Sequence, residues 1–414
     1  MLSYLKPGDG SITRLSGQDV IAVYSIPPQG SDDYSILYVV KAPDSQQDAP
    51  PYIFKSSMGT KLPQAFIDDF QPPDNASWPA RQSPGQTIPN LHIVVSIGSG
   101  TGQALAVCQK MLKPMLKHVC SPSEENYALH VTTSETTITD LTQNTFLPQA
   151  NQGIAQTIIL LSGDGGIVDI INAILSSERK PTYLKPTIAL LPLGTGNALA
   201  NSANINNDNT MGLRTLLQGT SKDLPLFRVT FSPGTRLLTN HQQDSQPLHQ
   251  EASLPVTYGA VVCSWGLHAS LVAESDTPSY RKFGADRFQM AAKDLLSPPD
   301  GSAPHPYHGR LSVLRKTPDS TEDHWHEVDR DAHGYVLATL VNQLEKGFTI
   351  SPLSTPLDPQ LRLIHFGPLS GQAAMEIMTQ AYQGGQHVHD DRVGYEAIEG
   401  LRVTFTEAEA RFRK

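Results

Sequence analysis

The stretch Ile158–Ala203 constrains the fold of this chain more than any other. The apolar run Ile158–Leu161 stops at Ser162-Gly163-Asp164-Gly165-Gly166, and Ile167, Ile170, Ile171, Ile174 and Leu175 then follow at spacings of three and four. A second run, Ile188–Leu191, breaks at Pro192 and turns through Gly194-Thr195-Gly196-Asn197. Short apolar runs bounded by glycine read as strands buried on both faces, and spacings of three and four mark the core face of a helix. Two strand–turn–helix units in tandem predict a parallel α/β sheet with its ligand loops at the C-terminal ends of the strands.

Glycine at such a turn lets the backbone approach a ligand, and the following helix aims free N–H groups and a positive dipole at it. That combination is a phosphate site. Asp164 sits inside the first loop, where the helix dipole favours a carboxylate but a phosphate would repel it. It is read as a metal ligand or a general base, with a plain turn aspartate as the alternative.

Taken together, SGDGGIVDIINAI and LPLGTGNALA resemble the catalytic domain shared by diacylglycerol, sphingosine and ceramide kinases, and the closing NALA is nearest to the sphingosine kinases. The resemblance runs from Leu91 to the C-terminus. It implies ATP-dependent phosphoryl transfer to a lipid hydroxyl (a sphingoid base, ceramide or diacylglycerol), with ATP and Mg2+ as cofactors and no protein ligand set assigned to the metal. Asp164 would be the base, Ser162 and Asp164 would face the acceptor, and Asp169 would stand where the family has a glutamate that reaches the nucleotide. Further nucleotide contacts would come from Gly163, Gly165, Gly194, Thr195, Gly196 and Asn197.

Upstream, the strand Leu91–Val95 leads into Ser96-Ile97-Gly98-Ser99-Gly100-Thr101-Gly102, with a helix expected from Gln103 to Lys117. As a dinucleotide fingerprint this loop is mistimed. The resembling kinases have Asn-Pro-x-x-Gly-x-Gly here, usually with a lysine between the last glycines. Ser96, Ile97 and Thr101 depart from that pattern, while Gly98 and Gly100 keep the backbone cradle. Thr132 matches a nucleotide-binding threonine of the family, and Thr137 replaces a histidine.

Residues 1–70 hold short strand-like runs, Val20–Tyr24 and Tyr34–Val40, and are expected to form a small β-rich module. Five prolines in residues 71–90 mark a linker. The α/β nucleotide-binding domain is then expected over residues 91–225. From 226 to 414, strand-like runs (Phe227–Phe231, Val256–Cys263, Arg310–Leu314, Gly334–Leu340, Leu361–Phe366, Leu401–Thr406) alternate with Pro- and Gly-rich turns. They predict a β-sandwich, which in the resembling kinases holds the lipid. The fold class is therefore α/β, a parallel nucleotide domain followed by an antiparallel β-sandwich. Asn240–Leu254 and Pro298–His308 read as polar surface loops, and His305, His308, His324 and His326 as solvated loop residues.

SWG at Ser264–Gly266, followed by Tyr280-Arg281 and Gly284-Ala285-Asp286-Arg287-Phe288, is similar to a sphingosine-kinase run whose two arginines bind nucleotide phosphates. Those kinases place an Asp-x-Asp pair just after Trp-Gly-x-x-Ala to receive the amino-alcohol head group. Val272 stands at the second aspartate, with Glu274 and Asp276 nearby, which shifts the expectation toward a neutral lipid alcohol. The family's late Asp-Gly-Glu motif is absent, so the second domain is expected to end one strand early or to lack the motif. These departures leave open a lipid- or nucleotide-binding protein without turnover, and more distantly a NAD kinase, which shares a GGDG loop.

A net charge of −9 argues against a nucleic-acid partner. Three cysteines without metal spacing fit a reducing compartment. No run reaches the roughly 20 apolar residues of a membrane span. The expectation is a cytoplasmic protein that visits the membrane surface transiently, as a peripheral enzyme, to reach its lipid.

Overall fold

The computed structural model describes residues 2–5, 12–26, 32–43, 49–78, 90–100, 102–120, 127–239, 243–284, 286–316, 324–409 and 412. Thr101, most of the proline-rich 71–90 segment and the start of the 240–254 insert lie outside them. The chain divides into two compact units, Met1–Ala200 with Asn204–Asp223, and Asn201–Ala203 with Leu224–Lys414.

In the first unit, β1 (Leu2–Leu5), β2 (Ile12–Leu15), β3 (Val20–Ser25), β4 (Asp33–Lys41) and β5 (Tyr52–Thr60) form an antiparallel sheet in the order β2-β1-β5-β4-β3. The strands β6 (Leu91–Val95), β7 (Tyr127–Val131), β8 (Thr157–Ser162) and β9 (Thr187–Pro192) form the expected parallel sheet, in the order β7-β6-β8-β9. Ile93–Val95 and Ile158–Leu161 are fully buried, which is why these strands read as unbroken apolar runs. One face is covered by a continuous helical segment from Ala104 to Cys120, through Val107, Met111, Met115 and Leu116. The helix Asp164–Leu175 buries Ile167, Ile170, Ile171 and Ile174, the periodic residues of the sequence. Each such side chain contributes about 1.5–3 kcal/mol on leaving water.

The N-terminal sheet shares this core. Ile21, Ala22, Tyr24, Leu37 and Val39 join one cluster with Leu91, Met111 and Trp78. Polar contacts fix the junction. Arg214 donates through Nε to the Val20 carbonyl at 2.8 Å and pairs with Asp208 at 3.0 Å, and Asn209 Nδ2 donates to Asp19 Oδ1 at 2.7 Å.

In the second unit, strands Val262–Gly266, Tyr335–Thr339, Leu361–Phe366 and Val393–Ile398 pair antiparallel in that order. A second sheet is built on Tyr307–Leu314 with Gly400–Phe405 beside it. Leu311 and Val313 of one sheet meet Val336, Ala338 and Leu363 of the other, which makes the expected sandwich. Helices Asp286–Leu296 and Gly371–Ala381 cover the outer face of the first sheet through Leu296, Ala374 and Ile377.

Two expectations need correction. The described part of the 240–254 insert forms strands, Asp244–Pro247 on Arg236–Thr239 and His249–Glu251 on Leu254–Gly259. Its turn places Ala252 and Ser253 at positive φ, and its strands are mostly exposed, so no hydrophobic alternation announced them. His305 is no solvated histidine: its side chain is 14% exposed and bonds Glu407.

Candidate active site

Parallel pairing brings four loops to one edge of the first unit. Val95 lies beside Val131 and Leu161, and Ser162 beside Pro192, so the segments that follow all leave from the same end of the sheet. The ladder continues one residue further through Ser96 N to Leu161 O, Thr132 N to Val95 O and Leu193 N to Ser162 O, all 2.9–3.0 Å.

Three of the loops touch. A β-carbon on Gly163 would come within 2.8 Å of the Gly194 Cα, and one on Gly194 within 2.6 Å of the Gly163 Cα. Gly100, at φ +54°, lies so close to the chain after β9 that a β-carbon would meet the Leu193 carbonyl at 2.2 Å. Gly98 and Gly165 are different: both are exposed, and a β-carbon on either meets nothing within 4 Å. The predicted phosphate glycines therefore divide into those that pack loop on loop and those with open space above them.

Side chains tie the loops as well. Asn197, at φ +53°, accepts from Gly194 N at 2.8 Å and donates to Gly194 O at 2.7 Å, closing the Gly-Thr-Gly-Asn turn on itself around the half-buried Thr195 and Gly196. The Ile97 N–H donates to Thr132 Oγ1 at 3.2 Å, while the Ile97 side chain is exposed. Ser162 is buried, with its hydroxyl 3.4 Å from Ser99 Oγ, a contact the sequence did not single out.

Asp164 opens the helix Asp164–Leu175. Its carboxylate accepts from Ala198 N at 2.7 Å and Leu199 N at 3.1 Å, so a side chain from one glycine loop is held by the backbone that follows the other. Burial pushes its pKa up, and the Leu199 and Ala198 N–H groups oppose the rise. Asp169, further along the same helix, is pushed up to about 6, first by burial and then by Glu135. Nothing in the local sequence ties Glu135 to Asp169. Its signal is visible only in space.

The other named residues lie in the second unit. Arg281 donates to Asp276 through Nε at 3.1 Å and Nη2 at 3.0 Å, and Arg287 Nη1 lies 3.6 Å from the same carboxylate. Arg287 Nε is buried without a hydrogen-bond partner among the described residues. Burial lowers the pKa of Arg287, Asp276 opposes that shift and Arg281 adds to it. Two guanidinium groups on one carboxylate leave an excess positive charge suited to an anion. Val272 is 45% exposed on the helix Leu267–Ser275. The unit also holds an open cavity of about 750 Å³ lined by Leu267, Glu274, Leu295, Phe366, Leu369 and the 298–307 loop. Glu274 lines that cavity, and Val272 is not among its wall residues.

Residues 90–229 match the diacylglycerol kinase catalytic domain. Human sphingosine kinase 1 is 24% identical over 321 residues, spanning 72% of this chain and 77% of that protein. Human sphingosine kinase 2 is 25% identical over 238 residues, spanning 55% and 31%. A crystal structure assigned to a diacylglycerol kinase of Bacillus anthracis str. Sterne superposes with a TM-score of 0.51 at 12% identity, over 79% of this chain and 88% of that one; it speaks for the fold.

Two predictions follow from the geometry. Gly194→Ala should lower the unfolding midpoint by several degrees, because its methyl group collides with backbone, whereas Gly165→Ala should leave the midpoint within about a degree and weaken nucleotide binding instead. Thermal melts and ATP titration of both variants check this. Asp169 holds its proton up to about pH 6 when folded and to 3.8 when unfolded. The folded state thus binds more protons between those values, and stability falls as pH rises through them. Asp169→Asn should therefore raise the melting temperature at pH 7.5 by a few degrees and change it little at pH 4.

Residues 90–229, whose four loops gather on one edge of the parallel sheet, thus match the diacylglycerol kinase catalytic domain, and the chain is similar to sphingosine kinases over much of its length.

Proposed function

We propose that the chain transfers the γ-phosphoryl group of ATP to a hydroxyl of a lipid (a sphingoid base, ceramide or diacylglycerol) lodged in the cavity of the second unit. The observation that carries this reading is Asp164. A carboxylate held by two N–H groups beside exposed glycine backbone is oriented, and burial makes it a better base than a free aspartate.

The division of labour follows from the residues. Gly98 and Gly165 offer unobstructed backbone to the phosphates, with Ser96, Ile97, Gly100, Thr132, Gly163, Gly194, Thr195, Gly196 and Asn197 shaping the loops around them. Asp169 is assigned to the nucleotide, and Arg281 and Arg287 to its phosphate charge. Asp164 takes the proton from the acceptor hydroxyl as that oxygen bonds to phosphorus and the bond to the leaving ADP breaks. Ser162 supports the same acceptor. No group of three or more His, Cys, Asp or Glu side chains among the described residues could cage a metal. Mg2+ would enter with the ATP phosphates and would supply charge neutralisation there.

The cavity has the size of a ligand site and apolar walls in Leu267, Leu295, Leu296, Phe366 and Leu369. Among the described residues no helix is long and apolar enough to cross a membrane. Access to a lipid is thus proposed through transient contact with a membrane surface, in keeping with the cytoplasmic setting expected from the sequence.

The test is a radiolabelled-ATP assay on sphingosine, ceramide and diacylglycerol in mixed micelles. Wild type should label at least one. Asp164→Asn should lose about 10²-fold or more in kcat while ATP affinity stays within a few-fold. Turnover retained within tenfold would remove Asp164 from the base role.

A further inference from the structure

The 298–306 segment forms one side of the cavity. Pro298, Pro299, Asp300, Ser302, Ala303 and Pro304 all line it, and residues 299–303 are otherwise exposed. This segment has no strand or helix between Leu296 and Tyr307. Within itself it is held by a Gly301 N to Pro298 O turn at 2.9 Å and by Ser302 N donating to Asp300 Oδ1 at 2.9 Å. Four prolines restrict its backbone, so it moves more readily as a stiff flap than by local melting.

The C-terminal end of the flap, just before the strand Tyr307–Leu314, is pinned by His305. Its Nε2 lies 2.9 Å from Glu407 Oε2, its Nδ1 3.7 Å from Glu409 Oε1, and its ring stacks on Phe412 with centroids 3.7 Å apart. Glu407 is a hub. It is 8% exposed and also accepts from His308 N at 3.3 Å and Glu409 N at 2.9 Å. Glu409 and Phe412 line the cavity themselves. One imidazole between two carboxylates and an aromatic ring therefore joins the flap to the segment that follows the last strand, at the cavity wall.

We propose that residues 298–306 are a lid on the cavity and that His305, clamped by Glu407, Glu409 and Phe412, is its latch, so that an amphiphile enters when this contact opens. The proposal rests on reading the cavity as the acceptor site. A charge-assisted hydrogen bond of this kind biases an opening equilibrium by roughly ten- to a hundredfold. Loosening the latch raises the rate of entry and of exit together, and changes equilibrium affinity much less.

The experiment is stopped-flow mixing of the full chain with NBD-labelled diacylglycerol and NBD-labelled sphingosine in mixed micelles. His305→Phe keeps a ring for Phe412 and removes both carboxylate contacts; Glu407→Gln keeps the shape of the hub and removes its charge. Thermal melts confirm that each is folded. Both variants should take up and release probe about tenfold faster than wild type. Binding with unchanged rates in both folded variants overturns the latch and leaves the acceptor reading standing. A folded Leu295→Trp variant that phosphorylates either lipid while its indole emission is not quenched by the NBD probe overturns the acceptor reading and the lid with it.

Discussion

The approach of Gly163 to Gly194 is the constraint on which the rest of the site depends. Two backbones can come this close only where neither carries a β-carbon, and their contact sets the spacing between the loop after β8 and the loop after β9. At that spacing the Asp164 carboxylate reaches the first N–H groups of the helix Ala198–Ser202. Gly100 presses the loop after β6 onto the same point. Glycines in such a loop let the backbone approach a ligand. Here several of them serve the protein's own packing, and that packing is what leaves Gly98 and Gly165 open.

The acid–base character of the site follows from the same crowding. Burial raises both Asp164 and Asp169, but only Asp164 has backbone donors that oppose the rise and fix its direction. A carboxylate that is oriented and made more basic suits proton removal. One that is raised by burial and by a neighbouring glutamate, as Asp169 is, costs stability at neutral pH and is the kind of strain that active sites retain.

The parallel sheet was legible in the sequence because its strands are buried on both faces and each ends in glycine. Four of the six strand-like runs, those at 310–314, 334–340, 361–366 and 401–406, fall on strands of the sandwich, whereas Phe227–Thr230 pairs with Leu254–Gly259 in a separate sheet and the 256–263 run is split between Leu254–Gly259 and Val262–Gly266. What escaped notice has physical reasons. The strands Asp244–Pro247 and His249–Glu251 are mostly exposed, so burial left no pattern in them. The union of the N-terminal sheet with the α/β core turns on Arg214 and Trp78, residues that carry no local signal. The partner of His305 lies 102 residues away, and Glu135 acts on Asp169 across the fold. Separating packing glycines from open ones needs the neighbours of each, which a motif does not contain. Val272 was weighed as a head-group position by its place in a run, but its helix turns it to solvent and puts Glu274 on the cavity.

The central claim is that the four loops at the C-terminal edge of the parallel sheet take the nucleotide phosphates. Amide hydrogen exchange of the full chain with and without ATP and Mg2+ tests it most directly. The account predicts slowed exchange in residues 96–100, 132–137, 162–166 and 193–199, with the N-terminal sheet unchanged. ATP binding that leaves all four loops at their free rates would contradict it.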